Sequence, residues 1–159
     1  MVDASRARLF TYERSSEAEG LSEHLVEQRD LVNPARRLRA GELFSESRPG
    51  SSRTGGLQYT LDDHREAHID ALDAEFARLI ISEVLTLLRT TKAQRLIVCA
   101  SPRMLGDLRD AGHELTRSSI VTDEIPRDLC KLTAPQLRDQ LASYGVLPPK
   151  PARPTQPQH

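Results

Sequence analysis

The chain has 159 residues, enough for one domain with a single core. Apolar residues make up 38% of it and charged residues 28%, with no Trp, three Phe and three Tyr, so the core must be mainly aliphatic. This aromatic poverty argues against base stacking as the main function. A formal net charge of −1 gives no overall attraction to nucleic acid or acidic lipid, so any such binding must come from a local patch.

The amino terminus and the cysteines indicate the compartment. The opening MVDASRARLF lacks the apolar run of a secretory signal, and no segment approaches the ~20 apolar residues that span a membrane. Cys99 and Cys130 follow neither a disulfide nor a zinc spacing. We therefore expect free thiols, a cytoplasmic location and no membrane partner.

Two strands are predicted near the amino terminus. Apolar and polar residues alternate from Ala7 to Glu13, and a second run extends from His24 to Val32. The polar stretch SSEAEG between them predicts an antiparallel pair joined by a loop rather than by a two-residue turn. Asn33, followed by proline, is expected to end the second strand.

The composition changes after Asn33, in the stretch NPARRLRAGELFSESRPGSSRTGG. Five arginines stand there against Glu42 and Glu46 without sustained periodicity, which predicts a long loop over residues 33–60. We expect it to be mobile in the free protein and ordered on binding. The candidate phosphate-contacting residues are Arg36, Arg37, Arg39, Arg48 and Arg53. The alternatives are a solvated loop, or arginines that pair with the acidic start of the next helix.

The sequence TGGLQ follows these arginines. Gly55 and Gly56 permit unusual backbone angles and the close approach of a partner. The alternative interpretation is a flexible hinge.

The clearest helix comes next. One apolar face recurs at spacings of three and four, formed by Ile69, Leu72, Phe76, Leu79, Ile80, Val84, Leu87 and Leu88. Asp62 or Asp63 can cap its start, and we expect it to end near Thr90. His64 and His68 are four residues apart, but their order differs from H-E-x-x-H and no third ligand is identifiable. A solvated face is favoured, so no metal site is predicted.

A buried strand, Arg95–Ala100, runs into a helix that is expected to end near Gly112. Pro102 suits the first helical turn. Helix N–H groups and Arg103 could bind an anion there, but the corner lacks the glycines of a phosphate loop. Ser101 is outside a G-x-S-x-G elbow, so we assign it to capping and predict no catalytic residue and no cofactor.

The remaining sequence completes the domain. SSIVTDEI predicts a strand, and Thr133 caps a last helix that is expected to end at Gly145. Residues 146–159 are Pro-rich and predict a disordered tail, with a P-x-x-P protein-interaction motif at 151–154. The element order predicts one α/β domain over residues 1–145, with a mixed sheet that has an antiparallel edge and a parallel crossover.

Five motifs occur in the order typical of the bacterial host-attachment protein family: DASRARLF, NPARRLRAGELFSESRPGSSR, FARLI, LIVCASPRMLGDLR and DLCKLTAPQLRDQL. The chain resembles this family from about Val2 to Leu141, although Ser101 stands where the family often has a second proline. Its proteins are named as required for attachment to host cells. The family resembles the middle domain of archaeo-eukaryotic peptide release factors, which implies an RNase H-like fold.

The resemblance also implies functions. In those release factors a Gly-Gly-Gln loop ahead of a long helix enters the ribosomal peptidyl-transferase centre. Gly55, Gly56 and Gln58 lie in the corresponding place, with Leu57 interrupting the triplet. An RNase H-type set of acidic metal ligands has no residue-by-residue match. We expect a non-enzymatic factor that binds RNA or the ribosome through the arginine loop. The alternatives are a release-factor-like peptidyl-tRNA esterase and a module that binds a protein partner through the Pro-rich tail. The oligomeric state is left open.

One departure from the family is structural. The family usually has a further apolar strand leading into DASRARLF, whereas Met1 and Val2 alone precede Asp3 here. We expect LIVCA to lose a parallel neighbour where that strand is missing, and so to expose a sheet edge. A start site assigned too far downstream would account for the difference.

Overall fold

A computed structural model describes residues 1–17, 20–35 and 57–150, with side chains described in 1–16, 20–35 and 64–150. Within these residues the fold is mixed α/β, as predicted. Its elements are β1 (Arg6–Glu17), β2 (Gly20–Val32), α1 (Leu57–Thr91), β3 (Arg95–Cys99), α2 (Pro102–Ala111), α3 (His113–Arg117), β4 (Val121–Ile125) and α4 (Ala134–Ser143).

The antiparallel pair β1–β2 is confirmed, but both strands are longer than predicted. Pairing continues until Glu17 lies opposite Gly20, so only positions 18 and 19 separate the strands and the expected longer loop was wrong. The extra pairing joins polar residues, including the hydroxyls of Ser15 and Ser22 at 2.6 Å. Cross-strand hydrogen bonds of this kind stabilise the outer part of the hairpin. The sequence there has no alternation of apolar and polar residues from which a strand could be predicted.

Helix α1 ends at Thr91, as predicted, but begins at Leu57 rather than near Asp62. The last positions of the expected loop 33–60 are therefore helical. Residues 36–56 lie outside the described part of the chain.

The apolar face of α1 is partly as predicted. Phe76 and Ile80 are almost fully buried. Leu79, which was expected on this face, is 44% exposed, and Ile81 and Ala77 are buried instead. The buried face of α1 therefore consists of two adjacent pairs one turn apart, Phe76 with Ala77 and Ile80 with Ile81. The predicted face contained Phe76 and Ile80 but neither Ala77 nor Ile81.

The parallel crossover from β3 to β4 is confirmed, with Arg95 opposite Val121 at one end. Helix α2 ends before Gly112, as predicted. An added Cβ at Gly112 would lie 2.8 Å from the Leu108 carbonyl oxygen, so this tight junction requires glycine. It also starts the short helix α3, which was not predicted.

The four strands do not form the single mixed sheet that was predicted. Pairs β1–β2 and β3–β4 are separate two-stranded sheets. Between them the Val2 N–H donates to the Cys99 carbonyl at 2.9 Å, and the Arg8 N–H donates to the Met1 carbonyl at 2.8 Å. Of the described residues, Met1 and Val2 thus make the backbone bridge between the sheets, and beyond them the facing edges are apart.

Two apolar cores lie on opposite sides of the strands. The first, called the α1–α2 core, contains Val2, Ala7, Leu9, Phe76, Ala77, Ile80, Ile81, Ala100, Met104, Leu105 and Leu108. The second, called the α4 core, contains Cys99, Ile125, Leu129, Leu137, Leu141 and Leu147. No helix within the described residues combines the length and apolar character needed to cross a membrane.

Helix α4 has the predicted Thr133 cap, within a reciprocal capping box completed by Gln136. Tyr144 caps its end and is followed by Gly145 at φ +73°, a conformation that favours glycine. The described part of the chain continues to Lys150. Leu147 is buried in the α4 core, where this apolar residue covers the end of helix α4.

Candidate functional site

The predicted arginine site is described only at its two ends, which we call its roots, where the segment joins β2 and α1. Most of its predicted members lie outside the described residues: Arg36, Arg37, Arg39, Arg48, Arg53, Gly55 and Gly56. Asn33 anchors the segment where it leaves β2: it is 0% exposed, and its side-chain N–H group donates to the Asp73 carboxylate at 2.7 Å and to the Ala4 carbonyl at 2.9 Å. Its side-chain oxygen accepts from the Ala35 N–H at 3.0 Å. The arginine segment therefore leaves the fold beside α1 at Asp73.

At its other end, the segment leads directly into α1. Gln58 lies in the first turn of this helix, so its backbone is helical rather than at the tip of a loop.

The Ser101 corner has the predicted capping geometry. The Ser101 hydroxyl accepts from the Met104 N–H at 3.4 Å, and Pro102 occupies the first turn. Arg103 is exposed, with 75% of its side chain accessible, and donates to the Asp70 carboxylate at 3.0 Å. Since Asp70 is one turn from Asp73 on α1, the fold brings Arg103 close to the root of the arginine segment.

Acidic side chains share this surface. Burial raises the pKa of Asp107, while Arg103 opposes that rise and Asp73 adds to it. An anion at Arg103 would therefore meet neighbouring carboxylates as well as a guanidinium group. Two of these carboxylates, on Asp70 and Asp73, lie near Asn33 and already accept from Arg103 and from Asn33.

Among the residues with described side chains, the histidine pair forms no compact ligand set. His64 and His68 are exposed on α1. Among the described residues, the ligand-type atoms that lie within 4.8 Å of one another belong instead to Asp3, Asp128 and Cys130. Sequence spacing did not indicate this cluster, because Asp3 is far along the chain from Asp128 and Cys130.

The contacts of that cluster assign it to a structural role. The Asp3 carboxylate accepts from the Ser5 N–H at 2.6 Å and from the Arg6 N–H at 2.8 Å, which closes the turn before β1. The Cys130 N–H donates to Asp128 at 3.0 Å. Burial raises the pKa of Cys130 to about 12, so its sulfur is a protonated thiol at neutral pH. Cys99 and Cys130 are free, as predicted, and both are buried.

Comparison with known families identifies the chain. The family model described as "Protein required for attachment to host cells" matches residues 1–141, well over half of the sequence. No curated protein matches the chain. The family match agrees with the five ordered motifs and with the α/β element order, so the chain belongs to the host-attachment family.

Proposed function

We propose that the protein is a non-enzymatic, cytoplasmic factor that binds RNA or the ribosome through the arginine segment. The observation that most directly supports this function is the buried Asn33, whose side chain holds the root of that segment on α1 beside Asp73. A chain with a fixed root loses less freedom on binding than one that is loose at both ends. Five arginines on one such segment suit phosphate contacts, and Arg103 on α2 contacts Asp70, one turn along α1 from that root.

The carboxylates at the root give this binding a second property. Asp70 and Asp73 attract the arginines when no partner is bound. Phosphate groups of the partner then have to replace these carboxylates at the guanidinium groups. Added salt should therefore weaken the association. The proposal is thus an electrostatic, salt-sensitive contact rather than a site that reads a base sequence.

We predict that Arg36→Ala, Arg37→Ala and Arg39→Ala together reduce sedimentation with ribosomes at low salt. Loss of three phosphate contacts should also make the negative slope of log affinity against log salt shallower by about 2. The matched control removes three exposed arginines elsewhere, Arg78, Arg117 and Arg127. That triple variant has the same net charge and should retain binding. Absence of association by the unaltered protein at low salt would reject the proposal.

The Pro-rich tail is tested by truncation. The truncation should remove residues 151–159 and keep Lys150, because Leu147 packs in the α4 core and the Pro148 carbonyl accepts from Arg138 at 2.9 Å. Association that survives this truncation assigns binding to the arginine segment. Association that is lost assigns it to the tail and overturns the proposal.

A peptide-release assay tests the esterase alternative. Release of peptide from peptidyl-tRNA by the unaltered protein, lost in Gln58→Ala, would replace the non-enzymatic function with release-factor-like chemistry at Gly55, Gly56 and Gln58. No release by the unaltered protein agrees with the function proposed here.

A further inference from the structure

A groove of about 440 Å³ is lined by the loop that follows β4 and by the outer side of α4, and we call it the α4 groove. Leu129 and Leu132 line it from the loop, and Gln140 and Tyr144 line it from α4 and its end. Tyr144 is 41% exposed. The groove therefore combines an accessible aromatic ring with apolar neighbours, a lining that suits proline-rich segments.

The α4 groove also offers hydrogen-bond donors that the described residues leave unused. Arg127 and Lys131 line it, and neither forms an ion pair with another described residue. The Tyr144 hydroxyl has no hydrogen-bond partner in that part of the chain either. Guanidinium and ammonium groups donate and cannot accept, so the groove suits a segment that supplies acceptors.

The sequence after α4 has a proline at every third position, namely Pro148, Pro151, Pro154 and Pro157. A polyproline II helix has three residues per turn, so these prolines share one face of it. Proline fixes its own φ, and a residue before proline is restricted to extended conformations. In residues 150–157, Ala152 and Thr155 alone escape both restrictions. The segment therefore loses little conformational freedom when it adopts this helix.

The end of the described chain turns around α4 towards the groove. The Pro148 carbonyl accepts from Arg138 at 2.9 Å, and the Lys150 ammonium group pairs with Asp139 at 2.7 Å. Successive residues of an α-helix lie about 100° apart around its axis, so the chain advances by one such step between these two contacts. Gln140, which lines the groove, is the next step in the same direction.

We propose that residues 151–157 of this chain lie in the α4 groove as a polyproline II helix, with the proline face against Tyr144 and Leu132. This helix has no internal hydrogen bonds, so its carbonyl groups are free to accept from Arg127 and Lys131. Seven residues extend about 20 Å, against about 6 Å along α4 from Gln140 to Tyr144, so the segment is long enough to cross the groove.

The charges of the segment agree with this placement. Arg153 follows Lys150 by three residues, so the two share a face of a polyproline II helix that is distinct from the proline face. Because Lys150 lies at Asp139, Arg153 is directed away from the cations of the groove. Docking within one chain has an effective concentration in the millimolar range, so a weak contact is sufficient. A docked tail withholds its P-x-x-P motif from separate proteins.

The test compares NMR spectra of the full chain, the chain truncated after Lys150, and a variant in which two neighbours exchange places, Pro154→Thr with Thr155→Pro. The exchange keeps the length and composition of the tail but breaks the period of three. Docking should shift the signals of Leu132, Gln140 and Tyr144 relative to the truncated chain, and the exchange should remove most of that shift. Thr155→Gln, which keeps the period, is the matched control and should retain the shift.

Each outcome decides the proposal. Loss of the shift in the exchange variant, with retention in Thr155→Gln, supports it. Equal shifts in the exchange variant and the full chain would mean contact without a proline face and would overturn it, as would identical spectra of the full and truncated chains. A shift that grows with protein concentration would place the tail of a second copy in the groove. If the attached tail gives no shift but a separate peptide of residues 148–157 does, the groove takes its proline-rich segment from another polypeptide, and docking within the chain is ruled out.

Discussion

Replacing Arg138 with methionine should lower the free energy of unfolding by about 3 kcal/mol, because the largely buried Glu23 carboxylate then keeps only the Arg14 guanidinium at 3.8 Å and the Tyr12 hydroxyl at 3.0 Å. Arg138 on α4 donates to the Glu23 carboxylate on β2 from two nitrogens, at 2.9 and 2.6 Å. The two side chains are 7% and 12% exposed. Urea unfolding of the variant measures the loss.

A surface ion pair provides the control. Arg103 and Asp70 are joined at 3.0 Å with side chains 75% and 64% exposed. Solvent screens such a pair, so Arg103→Met should cost less than about 1 kcal/mol. Equal losses in Arg138→Met and Arg103→Met would contradict the prediction. The double variant Glu23→Gln with Arg138→Met should be less destabilised than the sum of the two single changes, because neither residue is then left as an isolated charge.

The ion pair between Glu23 and Arg138 should also make the stability of the protein depend on pH in the acid range. Burial opposes ionisation of Glu23, but hydrogen bonds from Arg138 and Tyr12 outweigh it and hold the pKa of Glu23 below its ordinary value. The stabilisation is therefore fully present above the unfolded-state pKa of about 4.3, and is lost as the pH falls through the lower folded-state pKa. Glu23→Gln should remove this part of the acid destabilisation in unfolding curves taken between pH 5 and pH 2. An unchanged pH dependence would place the stabilising charge elsewhere.

The sequence predicts the elements that local chemistry determines. The apolar run of β3, the end of α1 and the Thr133 cap each depend on neighbouring residues, and each lies where expected. The outer half of the hairpin was missed, because its pairing joins polar residues such as Ser15 and Ser22, which have no apolar period.

Features that depend on distant partners were not predictable. Glu23 and Arg138 are 115 residues apart, and neither lies in a motif. Separation into two sheets follows from which strand edges meet; the sequence indicated only that one edge of β3 would lack a neighbouring strand. For the candidate site, Asn33 was predicted only as a strand terminator. Its buried amide is revealed by its neighbours Ala4 and Asp73, which come from two other parts of the chain.

Replacing Asn33 with alanine should therefore destabilise the fold by about 3 kcal/mol. The change removes two donated hydrogen bonds and one accepted bond at a fully buried position, and leaves the Ala4 carbonyl and the Ala35 N–H without those partners. Each buried polar group left unsatisfied costs about 1–3 kcal/mol. Thermal and urea unfolding measure the loss.

Asn33→Asp isolates the donating amide group. Aspartate keeps the size of the side chain and can still accept from the Ala35 N–H, but it cannot donate to Ala4 and brings a second carboxylate to within contact of Asp73. We expect it to be at least as destabilising as alanine near neutral pH, with partial recovery in mild acid as one of the two carboxyls takes up a proton. Stability equal to that of the unaltered protein would show that the two donated bonds contribute nothing.

The position of Asn33 also makes the effect local. Ala35 is the last described residue before the arginines, so loss of the anchor should free the root of that segment below the unfolding temperature. Limited trypsin digestion in native buffer should then cut faster after Arg36, Arg37 or Arg39 in Asn33→Asp than in the unaltered protein, while Arg138→Met, which weakens a distant contact, should change that rate much less. Equal acceleration in both variants would mean that cleavage follows global unfolding, and that Asn33 stabilises the fold without setting where the arginine segment begins.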